Sequence, residues 1–184
     1  MSNARFFLKI LIIYHILASI MKVAIAQIKS ALGDIDSNLK KHADFIEKAI
    51  QAKADLIVFP ELSLTGYSLK DLTNEVAMRI DDNKLKTLIE ASHDIDIVAG
   101  LVEETDEFLY YNSAVYLSKA AVTHVHKKLY LPTYGMFEEG RHFARGNPPT
   151  SLNTRPGNMG ILICEDAWHP ICPLLLTLQG SLFI

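Results

Sequence analysis

Short apolar runs rich in β-branched residues recur along this chain, and each stops at a polar or turn-forming residue. VAIAQI (23–28), DLIVF (55–59), DIVAGLV (96–102) and MGILIC (159–164) are continuous rather than alternating, and too short to be typical helices. Runs of that kind suit strands buried on both faces. Between the first two, Leu39, Ala43, Ile46 and Ile50 recur at the spacing of one helix face, with Asp36 or Ser37 as the cap. Buried strands alternating with amphipathic helices predict a layered α/β domain, and 184 residues suit a single one.

The remaining elements follow from the same signals. Leu72 to about His93 reads as one or two helices with Leu85, Leu88 and Ile89 on one side. FLYYNSAVYLS and AVTHVHKKLYL predict a β-hairpin turning near Lys119 and Ala120. Pro132 to Asn158 carries most of the glycine and proline and reads as loop, and Trp168 to Leu178 as a helix.

Eighteen basic and 21 acidic side chains leave a formal charge of −3, so no positive field draws the chain to nucleic acid or anionic lipid. A small neutral or zwitterionic partner is the simpler expectation. Cys164 and Cys172 are the only cysteines and miss the Cys-x-x-Cys spacing, which excludes a disulfide framework and a four-thiolate metal site. A reducing, cytoplasmic setting fits that usage. Residues 1–20, MSNARFFLKILIIYHILASI, form a separate apolar segment ahead of a domain spanning 21–184. Three readings stand for it: a start assigned upstream of Met21, a signal or membrane anchor, or a packed helix.

Three reactive side chains sit where predicted buried strands end: Glu61 after DLIVFP, Lys128 in HVHKKLYLP, and Cys164 after GILI. Each alone has an ordinary reading, as a loop carboxylate, an exposed lysine and a small buried thiol. Together they supply a nucleophile, a base to deprotonate it and a cation for an oxyanion, at the sheet edge where α/β ligands collect. The abrupt strand-to-turn passage at Cys164 and Glu165 is similar to a nucleophile elbow. On a strand Lys127 and Lys128 point to opposite faces, so only one can aim at Cys164.

FPELSLTGY, KKLYLPTYGMFEE and GILICEDAWHP, in this order, resemble the signature blocks of the nitrilase superfamily of carbon-nitrogen hydrolases. KVAIAQI, with Gly33, Asp34 and Asn38 after it, is similar to the family's first strand and turn. The resemblance implies an α-β-β-α sandwich, assembled as a homo-oligomer. It further implies Glu61 as general base, Lys128 as the cation on the tetrahedral intermediate, Cys164 as nucleophile and Glu139 as a supporting glutamate. No metal or cofactor is implied. Tyr67, Glu165, Trp168 and His169 are candidates to line the substrate pocket; Tyr67 can instead pack near Glu61, Trp168 can seal the core, and His169 can pack at a helix start. His124 and His126 share a strand face, and ordinary surface histidines are the expectation.

The implied reaction is hydrolysis of a small linear amide through a thioester. A glutaminase module feeding ammonia to an NAD synthetase and an inactive fragment are the alternatives. A papain-like Cys-His pair fits poorly, because only His169 follows Cys164. The resemblance covers about Lys22 to Gly180, where the family continues with further strands. The sequence therefore predicts a sandwich incomplete at its C-terminus, with weak or no activity.

Overall fold

The computed structural model describes residues 8–13, 21–155 and 157–184. A mixed six-stranded sheet runs in chain order through β1 (Leu8–Ile13), β2 (Met21–Ala26), β3 (Leu56–Val58), β4 (Asp96–Glu104), β5 (Tyr110–Ser118) and β6 (Ala121–Lys127). β2, β3 and β4 are parallel, and β1, β5 and β6 each pair antiparallel to their neighbour. Of the N-terminal segment, residues 8–13 thus form a strand on β2 rather than a helix; the other readings of residues 1–20 lie outside the described residues. No helix among the described residues is long and apolar enough to cross a membrane.

The period of two sorts each strand's side chains between two cores. Ala24, Ile57, Ile97, Ala99, Val115 and Leu117 face α1 (Ile35–Gln51) and α2 (Lys86–Ala91), which cover one side of the sheet. Val23, Leu56, Val98, Ala114 and Tyr116 face a second layer. That layer consists of the ribbon β7 (Leu152–Thr154) and β8 (Gly157–Met159), followed by Ile161 and Ile163. α3 (Ile171–Leu178) lies outside it, with Leu176 against Gly160. The order of layers is α-β-β-α, with a second sheet of only two strands.

Several local expectations shift. The cap of α1 is Asp34, whose side chain accepts from Ser37 N, so the helix begins before Asp36. Its buried face is Ile35, Asn38, His42, Ile46 and Ala49, while Ala43 and Ile50 are exposed. The apolar stripe loses because Asn38 and His42 find partners inside the fold. Between Leu72 and His93 only α2 and short 3-10 turns form, since Met78 leaves the helical path to bridge Glu103 of β4. Residues 160–163 are extended but form no strand; Gly160 N donates to Phe183 O. The hairpin turns at Lys119 and Ala120 as expected, both at positive φ, the geometry that matches strand twist.

Gly100, in the middle of β4, is the close-approach point that sets the Glu61 turn. A Cβ there would lie 2.4 Å from Leu62 N and 2.9 Å from Pro60 O, both backbone atoms. Gly100→Ala is expected to destabilise the fold by about 1–3 kcal/mol and to displace Glu61. An unchanged urea midpoint would show that the turn does not press on β4.

Candidate active site

Glu61, Lys128 and Cys164 come from three separate parts of the chain; Lys128 pairs with Glu61, and Cys164 lies near enough to both to feel their charges. Glu61 leaves β3 on a tight turn in which Leu62 adopts φ +48 and Leu64 N donates to Gly100 O at 2.9 Å. A buried polar network secures that turn from behind. His42 Nδ1 lies 2.7 Å from Asn38 O, and His42 Nε2 lies 3.0 Å from Ser63 Oγ. Because a carbonyl only accepts, Nδ1 carries the proton and Nε2 accepts from the Ser63 hydroxyl. Ser63 Oγ in turn accepts from Gly100 N at 3.1 Å.

Burial lowers the His42 pKa from 6.5 to about 4, against the pull of its bond to the Asn38 carbonyl. Between those pH values the unfolded chain binds the proton and the folded one does not. Stability is therefore full above about pH 6.5, falls as pH drops toward 4, and levels off below. The loss amounts to roughly 3 kcal/mol. Urea unfolding across that window checks it, and His42→Gln is expected to flatten the slope.

Lys128 follows β6 directly, and its side chain is wholly buried. Its ammonium sits 2.7 Å from Glu61 Oε1 and 2.8 Å from both oxygens of Glu139. Burial pulls the lysine down, but the two carboxylates outweigh it and hold its pKa above the usual range. Burial pushes the Glu139 carboxyl up, against hydrogen bonds from Lys128 and Tyr67. Lys127 points the other way, 2.9 Å from Glu103 and over the Tyr111 ring.

Cys164 opens a short 3-10 turn, Cys164–Trp168, and is exposed at φ +46. A left-handed cysteine is the strained geometry of an elbow that holds a side chain out from the backbone. Burial raises its pKa, Glu61 raises it further, and Lys128 opposes. The resting group is a thiol, which needs a base to become a nucleophile. Glu61 and Cys164 both line a cavity of about 390 Å³ whose other walls are mostly apolar, including Val58, Ile161 and Phe183.

Of the candidate pocket residues, Tyr67 donates to Glu139, so it buttresses the cluster. Glu165 accepts from the Tyr134 hydroxyl at 2.8 Å and lies 3.5 Å from His169. His169 stacks on Tyr130 with ring centroids 3.5 Å apart. Trp168 is 80% exposed, so it does not seal the core. His126 is corrected too: it is buried and 2.8 Å from Asp166. Among the described residues no cluster of three metal-ligating side chains forms.

The sequence reading missed Asn112 and Asp166. Asn112 Nδ2 donates to Glu61 Oε1 at 2.7 Å, beside Lys128 on the same oxygen. Its own Oδ1 is buried without a partner. An asparagine inside a strand of mostly apolar and aromatic residues was the available signal.

The family model for carbon-nitrogen hydrolases matches residues 22–184. The chain belongs to this carbon-nitrogen hydrolase family. Similar curated proteins include the glutamine-dependent NAD(+) synthetases of Acinetobacter baylyi, 36% identical over 147 residues, and Thermotoga maritima, 31% identical over 156. The alignments cover 80% and 83% of this hydrolase but 27% of each relative. Among solved structures, the glutamine-dependent NAD+ synthetase of Acinetobacter baumannii superposes with TM-score 0.77 at 34% identity, over 88% of this chain and 31% of that one. Saccharomyces cerevisiae Nit3, a nitrilase-superfamily member, superposes at 0.76 with 24% identity, over 88% of this chain and 61% of that one. The α-β-β-α layering of the hydrolase is thus the nitrilase-superfamily fold.

Proposed function

We propose that this hydrolase cleaves the terminal amide of a small linear amide, with glutamine as the favoured substrate. The observation that carries the chemistry is the buried Lys128 ammonium, shared by Glu61 and Glu139 beside a left-handed cysteine turn. Glu61 takes the thiol proton of Cys164, and the sulfur attacks the amide carbon. Lys128 and the backbone N–H of Glu165 stabilise the resulting oxyanion. The C–N bond breaks as nitrogen receives the proton from Glu61, and ammonia leaves a thioester on Cys164. Water, deprotonated by Glu61, then releases the acid and restores the thiol.

Glutamine is favoured because the relatives aligned over four-fifths of the chain are named glutamine-dependent synthetases. The ammonia would serve an amidating synthetase. Ammonia release from glutamine, compared with simple aliphatic amides, tests the substrate. Intact-mass detection of an adduct from a chloroketone analogue of glutamine tests the nucleophile. Absence of both turnover and a Cys164 adduct would sink the proposal; turnover of aliphatic amides alone would leave the general amidase reading.

A further inference from the structure

Asp166 has no exposed surface, yet it is a carboxylate that the chemistry above does not use. Burying such a group is costly unless every lone pair is engaged, and here four donors engage it. Oδ1 accepts from Leu129 N at 3.1 Å and Tyr130 N at 2.9 Å. Oδ2 accepts from His126 Nε2 at 2.8 Å and Ile163 N at 3.3 Å.

The positions of those donors matter more than their number. Residues 126, 129 and 130 bracket Lys128, while Ile163 and Asp166 bracket Cys164. One side chain therefore ties both flanks of the lysine to both flanks of the cysteine. The turn is closed a second time by Asp166 N donating to Ile163 O at 3.0 Å, around the left-handed residue. The far end of Lys128 is held independently by Glu61 and Glu139. With the Asp166 contacts, the lysine is fixed at its backbone and at its ammonium. An apolar residue would fill this buried site at lower desolvation cost, but it would not be directional.

We infer that Asp166, oriented by His126, is a positioning residue that sets the nucleophile turn against the lysine. The kinetic part of this inference rests on the function proposed above; the placement of Cys164 does not. A misplacement near 1 Å is enough to cost on the order of 10²-fold in rate.

The test uses the full chain in four variants: His126→Leu, His126→Gln, Asp166→Asn and Asp166→Ala. Folding is monitored by circular dichroism and thermal unfolding, and Cys164 alkylation by iodoacetamide is timed by intact mass, Cys172 being buried. Amide hydrolysis gives kcat and KM. His126→Leu, which removes one donor and keeps bulk, is expected to stay folded, lower kcat by about 10- to 100-fold with little change in KM, and slow alkylation by about 10-fold. His126→Gln returns an N–H donor and should recover most of both. Asp166→Asn keeps an acceptor for Leu129 and Tyr130 and should fall between. Asp166→Ala should lose both the fold and the rates, so the histidine pair carries the decision. Wild-type rates in folded His126→Leu, or His126→Gln no better than His126→Leu, would overturn the inference. If wild type releases no ammonia but alkylation still follows this order, the function fails and the positioning role stands.

Discussion

Lys128→Met is expected to cost both stability and turnover. Methionine keeps the length and apolar stem of the lysine but removes the cation from between Glu61 and Glu139. Two carboxylates then face one another, one of them buried and the other 20% exposed. Breaking a buried ion pair in this way costs about 3–5 kcal/mol, because the remaining charge is left unpaired. Under the proposed mechanism, loss of the oxyanion cation removes a further factor of about 10²–10³ from kcat. The double variant Lys128→Met/Glu139→Gln separates the two effects, since neutralising Glu139 relieves the repulsion without replacing the cation. Its urea midpoint should recover while ammonia release stays low. A single variant as stable as wild type would mean that the lysine is not the hub of a buried cluster.

Cys164→Ala and Cys164→Gly should both abolish turnover, by on the order of 10⁴-fold or more, yet differ in stability. Alanine keeps a Cβ at φ +46 and so keeps the strain of the left-handed turn. Glycine adopts that conformation freely, and relief of the strain outweighs the greater freedom of its unfolded chain by about 1 kcal/mol. Thermal unfolding should therefore rank glycine above alanine. The reverse order would deny that the elbow is strained. A nucleophile held at a cost to stability is the pattern expected where a side chain must be presented rather than packed.

The legible parts of this molecule were those set by local pattern. DLIVF, DIVAGLV and the hairpin around Lys119 each carry their own signal of burial or turning within a few residues. Glu61 and Lys128 could be read as candidates because strand ends in an α/β sheet share an edge, whereas Cys164 follows residues 160–163, which form no strand. His126 was misjudged because a histidine on a hairpin strand looks solvent-facing until its partner, 40 residues away, is known. Asn38 and His42 were left off the buried face of α1 for the same reason: Leu64 O and Ser63 Oγ, which satisfy them, come from another part of the chain. MGILIC has the composition of a strand, but composition does not supply a neighbour to pair with, and only Gly157–Met159 found one.

By itself, then, the sequence determined the layered α/β class, the strand order of the hairpin, and the three candidates Glu61, Lys128 and Cys164. Periodicity and turn chemistry act over a few residues and need no distant partner. Tertiary structure alone decided that the Lys128 ammonium is buried between Glu61 and Glu139, that Asn112 shares a Glu61 oxygen with it, and that Asp166 joins the cysteine turn to the lysine strand. Each of those outcomes depends on whether a buried polar group finds its donors, and donors remote in sequence become neighbours only when the layers close.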